Sequence, residues 1–364
     1  MQQLGTEETQ RAAAFLAGEI RKMATRPVRL MEVCGTHTVA IFRAGIRQLL
    51  PPAVELVSGP GCPVCVTAND FLDTAIAYSR LPGCMIATFG DMLRVPGSST
   101  SLMAAKSAGA DVRIVYSPLD ALMLAKENRS RQVIFLAVGF ETTAPAIAAT
   151  VQAAEQSGVD NFFVLTAHKL VPPALRFLVE SRCRVDGFLL PGHVSSIIGE
   201  GPYRFLTQEY DIPAVIAGFE PLAILRAVYT LVLQLHHGEC RLENQYTAVV
   251  PPAGNPVAQQ VLAQVYETVS SRWRGLGVLP ASGLTLTSRY RRFDARQQIP
   301  VAVEPMRENS GCRCGEVLLG AITPRQCSLF GGPCTPESPV GACMVSVEGT
   351  CAAWYKYGTG RWNL

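Results

Sequence analysis

Cysteine carries the most distinctive pattern in this sequence. Twelve cysteines occur in the chain, and six fall within residues 312–351. They read Cys312-x-Cys314, then Cys327, Cys334, Cys343 and Cys351, with gaps after Cys314 of 12, 6, 8 and 7 residues. Gly311, Gly315, Gly331, Gly332 and Gly341 let the backbone bend around a compact object. Four thiolates suit a [4Fe–4S] cluster or a zinc ion. Structural zinc prefers two closely paired cysteine knuckles, and this segment lacks them. The pattern therefore favours iron–sulfur and leaves two thiols over, which could form a dithiol–disulfide pair beside it.

The second pattern is Gly59-Pro-Gly-Cys-Pro-Val-Cys65. Two residues between Cys62 and Cys65 bring the sulfurs within disulfide reach, and a C-x-x-C after a strand reads as a redox-active dithiol. The plain alternative is half of a zinc site, completed by Cys34 and His37. The third pattern is Glu32-Val-Cys-Gly-Thr-His-Thr38. Cys34 falls where a parallel strand should end, the usual rim for ligands in open α/β sheets. Cys34 with His37 could serve nucleophilic catalysis or bind a soft metal such as Fe(II), and a buried free cysteine is the alternative.

Polar residues also follow apolar runs further on. Glu141, Thr142 and Thr143 lie in Gly139-Phe-Glu-Thr-Thr-Ala-Pro145, and His193 lies in Pro191-Gly-His-Val-Ser195. With His168 and Lys169 they could line a cleft facing Cys34, or each could be a cap or surface residue. His236 and His237 read as surface residues. Cys84, Cys183 and Cys240 read as structural.

These residues need elements to position them. Short apolar runs occur at residues 29–33, 54–57, 85–89 and 112–116, then 133–138, 162–165, 186–190 and 214–217, most starting about 25 to 30 residues apart. That is the length of a strand, loop and helix. Helical spacing marks residues 38–50, 172–181 and 221–236, and a long helix is expected over 256–273. Continuous apolar strands alternating with helices predict α/β architecture with parallel sheets. The two sets of four predict two similar α/β domains, residues 1–128 and 129–255, then a small C-terminal iron–sulfur domain, residues 256–364.

Composition limits the function. The chain has 364 residues, 48% hydrophobic and 17% charged, with a formal charge of +3. That gives no sign of a nucleic-acid partner. No apolar run approaches the ~20 residues of a membrane span, and the polar, acidic MQQLGTEETQ lacks the character of a secretory signal. A cytoplasmic setting is expected, where thiols stay reduced. No dinucleotide or P-loop glycine motif occurs.

Taken in order, Cys34-Gly-Thr-His-Thr38, Gly59-Pro-Gly-Cys-Pro-Val-Cys65, Gly139-Phe-Glu-Thr-Thr-Ala-Pro145, Pro191-Gly-His-Val-Ser195, Glu308-Asn-Ser-Gly-Cys-Arg-Cys-Gly-Glu316 and Cys351-Ala-Ala-Trp-Tyr-Lys356 resemble the HypD family of hydrogenase maturation proteins. The resemblance runs from about Arg29 to Tyr357. It implies two α/β domains, a [4Fe–4S] domain, and a complex with a small HypC-type chaperone. On that complex the Fe(CN)2CO unit of [NiFe]-hydrogenase would be assembled, with cyanide from a HypE-type donor and the hydrogenase large subunit as indirect recipient. It matches Cys34 to a transient iron ligand shared with a chaperone cysteine, and Cys62 and Cys65 to a redox pair. For the tail, Cys312, Cys327, Cys334 and Cys351 are taken as cluster ligands and Cys314 and Cys343 as the possible disulfide, although spacing alone does not choose four from six. The alternatives are a [4Fe–4S]-dependent thiol–disulfide reductase acting on proteins, which would not need Cys34, and a zinc-stabilised binding module.

Overall fold

The apolar runs become the strands of two parallel sheets. In the computed structural model, which describes residues 6–181, 183–308 and 311–358, the strands are β1 (Val28–Glu32), β2 (Val54–Ser58), β3 (Cys84–Thr88), β4 (Val112–Ile114), β5 (Gln132–Ala137), β6 (Phe162–Thr166), β7 (Gly187–Pro191), β8 (Ala214–Ala217), β9 (Leu242–Asn244), β10 (Tyr266–Trp273) and β11 (Gly277–Leu286). Asn309 and Ser310 of the C-terminal motif, the first five residues of the polar start and residues 359–364 of the expected third domain lie outside the described residues.

One parallel sheet has the order β2-β1-β7-β8-β9 and the other β4-β3-β5-β6. This corrects the expected division at residue 128. The chain leaves the first sheet after β2, builds the whole second sheet with β3–β6, and returns to pair β7 beside β1, Leu30 opposite Gly187. A parallel strand looks the same to hydropathy whichever neighbour it takes, so the eight runs do not reveal their partners. The α/β class itself matches the expectation, and β9 was not foreseen.

Both faces of each sheet are covered. In the first sheet Leu30, Leu189 and Val215 pack on one side with Ile224, Val228 and Leu231 of the helix Pro221–His237. Met31, Phe188, Leu190 and Ile216 pack on the other. That second core is shared: it takes in Cys62, Cys65, Phe140, Leu175, Trp273, Leu318 and Cys343. In the second sheet Ile86, Ile134 and Leu136 face one core and Met85, Val133 and Phe135 the other.

Helix boundaries follow local chemistry. Val171, Ala174, Leu175 and Leu178 form the apolar stripe of Val171–Glu180, close to the expected span. The segment expected to be helical over 38–50 splits into Gly35–Arg43 and Ile46–Leu49, because Gly45 takes a left-handed conformation between them. The long helix expected over 256–273 is corrected. Asn255 caps Pro256–Val265, and the chain then turns extended as β10, which pairs antiparallel with β11. Tyr-Glu-Thr-Val-Ser-Ser-Arg-Trp is rich in β-formers, and its antiparallel partner decides the matter. Pro256–Val265 packs on Ala144–Gln156 and β11 on Val171–Glu180, so residues 256–286 are built onto the α/β units. The cysteine-rich tail beyond them consists of short helices: Cys314–Leu318, Ala342–Val345 and Thr350–Tyr357. Among the described residues no helix is long and apolar enough to cross a membrane.

Candidate functional site

Cys34 stands at the switch point of the first sheet, where β1 runs to β2 on one side and its other neighbour β7 leads away to β8 and β9. Ligands collect outside the strand C-termini at such a point. Cys34 is the N-cap of Gly35–Arg43, its side chain making no capping hydrogen bond, with the backbone N–H groups of His37 and Thr36 turned toward it. They favour the thiolate, but burial wins and pushes the thiol up to about 12, with Glu348 and Glu32 adding to it. Metal binding at this sulfur would have to expel the proton.

Glu32 supports the loop. It is buried, accepts from the Thr38 hydroxyl at 2.6 Å and from the Cys34 backbone N–H at 3.3 Å, and burial raises it to about 7. His37 is also buried, and its Nε2 donates to the Gly218 carbonyl at 2.9 Å. Burial lowers it to about 4, so the ring is neutral and Nδ1, which has no partner among the described residues, carries a lone pair. Phe219 lies between two imidazoles, 4.7 Å from the His37 ring and 4.0 Å from that of the exposed His193.

The dithiol motif lies against this loop, with the Gly35 N–H donating to the Gly61 carbonyl at 2.9 Å. Cys62 caps the short helix Pro63–Val66 and accepts from the Cys65 N–H at 3.2 Å. The two sulfurs stand at disulfide distance, with Cα atoms 5.2 Å apart. Both residues are buried, at 4% and 0% exposure, in the shared core.

The C-terminal segment meets both motifs. Ala342–Val345 packs on Pro63–Val66, and Thr350–Tyr357 on Gly35–Arg43. Glu348 accepts from the Thr36 hydroxyl at 2.7 Å, and its Cβ lies 2.5 Å from where a Cβ on Gly35 would be, so only glycine permits this approach. Cys312, Cys314, Cys327, Cys334, Cys343 and Cys351 all line one apolar cavity. Cys314 donates to the Cys312 sulfur, which pulls Cys312 down and pushes Cys314 up. Burial raises Cys343 to about 12 and Cys351 likewise upward. Among the described residues no three or more His, Cys, Asp or Glu side chains form a ready-made metal cage. The donor set is all sulfur, and a Cβ on Gly341 would stand 2.7 Å from Cys312 Sγ, so glycine keeps that sulfur's place. Both features suit an iron–sulfur group.

Other expected residues go elsewhere. Glu141 is buried after β5, with Oε1 accepting from the Val171 N–H at 2.8 Å and Oε2 unpartnered among the described residues, and burial raises it to about 7. Its charge is felt by the buried Tyr203, which also feels Cys34. Thr143 occupies a helix N-cap without using its side chain, and Thr142 is exposed. His168 and Lys169 pack on the β10–β11 pair, Lys169 donating to Ser271 Oγ at 2.5 Å and His168 lying edge-on to Tyr266. His236 and His237 are exposed. Glu32, Glu348, Tyr203 and Phe219 were not singled out by sequence. Phe219 follows β8 as the named motifs follow their strands, so that signal could have found it; Glu348 offers none.

The family model described as "HypD: Hydrogenase formation hypA family" matches residues 11–358. The hydrogenase maturation factor HypD of Escherichia coli is 49% identical over 343 residues, covering 94% of this chain and 92% of that protein. That of Rhodobacter capsulatus is 47% identical over 354 residues, covering 96% and 94%. A putative hydrogenase expression/formation protein of Methanocaldococcus jannaschii is 43% identical over 341 residues, covering 93% and 95%.

Proposed function

The chain belongs to the HypD hydrogenase formation family, and from that premise we propose that it is a cytoplasmic scaffold and redox protein for assembling the Fe(CN)2CO unit of a [NiFe]-hydrogenase with a HypC-type chaperone. One observation carries the reading. Cys34, at the switch point of a parallel sheet, touches through its neighbours both the dithiol loop, by Gly35 and Gly61, and the cysteine-rich tail, by Thr36 and Glu348.

Iron with its cyanide and carbonyl groups is the cargo. Cys34 supplies one soft ligand and the chaperone the second, so the cargo is released when the partner leaves. His37, packed on Phe219, would tune or shield the site. A HypE-type protein brings the cyanide, and the hydrogenase large subunit receives the product. In the tail, Cys312, Cys327, Cys334 and Cys351 would hold a [4Fe–4S] cluster, leaving Cys314 and Cys343 as a possible disulfide pair. Such a cluster supplies one-electron chemistry when bound. Cys62 and Cys65 pass from dithiol to disulfide as the two electrons and two protons released on S–S formation reduce the Cys314–Cys343 disulfide to two thiols, all four residues packing on one core. Burial of both sulfurs favours this internal role over a stand-alone reductase, whose protein substrates must reach a sulfur.

The test is anaerobic co-purification with the small chaperone followed by infrared spectroscopy. CN and CO stretches are expected on the wild-type complex. Cys34→Ala is expected to keep the fold and the cluster's visible absorption but lose the bands. Full-strength bands in that variant would overturn the scaffold role.

A further inference from the structure

Arg274, in the turn between β10 and β11, is a buried charge that none of the motifs explains. It is 6% exposed. Its backbone N–H donates to the Val66 carbonyl at 2.9 Å, its Nε to the Thr67 carbonyl at 2.8 Å and its Nη2 to the Pro96 carbonyl at 3.4 Å. All three acceptors are neutral, and among the described residues no carboxylate stands at ion-pair distance from it. A buried guanidinium without a counter-charge is costly, so such groups are normally paired.

Its surroundings indicate the partner. Arg274 lines a cleft of ≈ 530 Å³ together with Cys312, Cys314 and Glu308. The next residue, Gly275, has φ +72°, and a Cβ there would lie 2.7 Å from the Gly315 Cα and 3.4 Å from Cys314 Sγ. A Cβ on Gly315 would in turn meet the Gly275 carbonyl at 2.2 Å. The turn is thus locked backbone to backbone onto Cys312-x-Cys314, and the guanidinium is held by the Thr67 carbonyl at the end of the dithiol helix and by the Pro96 carbonyl.

We propose that Arg274 is the fixed counter-charge of an anionic group held by the C-terminal cysteines, and that it raises that group's reduction potential. This deepens the cluster reading given above and rests on it. Adding one electron makes a thiolate-held cluster more negative, so a nearby cation in a low-dielectric site stabilises the reduced form more than the oxidised form. Arg274 keeps its proton throughout and is a positioning charge. Glu308, on the same cleft, acts in the opposite sense.

The experiment is a spectroelectrochemical titration of the anaerobically purified full chain. Arg274→Gln should lower the midpoint so that the reduced-to-oxidised ratio at a fixed potential falls at least tenfold, 59 mV for a one-electron couple. Arg274→Lys, which keeps the charge, should stay closer to the wild type. Glu308→Gln, an exposed substitution, should move the midpoint upward by a smaller amount. Unchanged midpoints in Arg274→Gln and Glu308→Gln, with iron content intact, would overturn the proposal and leave the cluster reading standing. If Arg274→Gln loses its iron, Glu308→Gln decides: an upward shift supports the proposal and no shift overturns it. Wild-type protein with stoichiometric zinc and no iron would instead remove the cluster reading itself.

Discussion

The Cys34 rim and the C-terminal cysteine cavity both present sulfur, yet they are built in different ways. Cys34 is carried by a strand buried on both faces and by a nine-residue helix. Its position follows from the apolar cores on the two faces of the sheet. The cavity is lined by short helices and bends, with helical spans of five, four and eight residues along its wall. Segments that short hold little apolar surface of their own and rely on what they pack on or enclose. The sulfur of Cys34 thus stands on an extended sheet scaffold, whereas the six C-terminal sulfurs stand on short helices and bends.

Iron removal should separate the two regions most strongly. Under anaerobic chelation, amides in residues 312–351 are expected to lose protection in hydrogen exchange, while strand amides of both sheets keep it. Equal loss in the sheets would break the comparison. Core truncation should do the reverse. Phe188→Ala, fully buried on β7, is expected to cost about 3–5 kcal/mol in chemical denaturation. Phe330→Ala, half-buried on the cavity wall, should cost less than half of that.

Acid–base behaviour sharpens the contrast at the rim. Glu32 is raised from 4.5 to about 7, so its contribution is fully present below pH 4.5 and is lost as pH rises to about 7. His37 is lowered from 6.5 to about 4, so its contribution is present above pH 6.5 and is lost as pH falls to about 4. Glu32→Gln should remove a loss of up to about 3 kcal/mol between pH 4.5 and 7. Denaturation curves at the two ends of that range check it: a wild type and variant with the same pH dependence would show that Glu32 does not titrate in this window. The smallest effect is expected at the link between the regions. Thr36→Val removes the hydroxyl donor to Glu348 and should cost about 1 kcal/mol, read as faster exchange in Thr350–Tyr357. Unchanged exchange there would mean that packing alone joins rim and tail.

Local chemistry was legible in the sequence because it needs only neighbours in the chain. The eight apolar runs, the helix stripe at Val171, Ala174, Leu175 and Leu178, the C-x-x-C spacing and the placement of Cys34 after a strand are all short-range facts. Which strands share a sheet is not. β1 pairs with β7 across more than 150 residues, a choice made by packing that hydropathy does not record. β10 looked helical until β11 was there to pair with it. The approach of Glu348 to Gly35, the burial of Cys62 and Cys65, and Arg274 held between the dithiol helix and the tail arise only when distant segments close on one another. Sequence determined the sulfurs and the elements that carry them. Tertiary structure alone decided which sulfurs are buried and which charge faces them, because burial and electrostatic pairing are properties of the assembled interior.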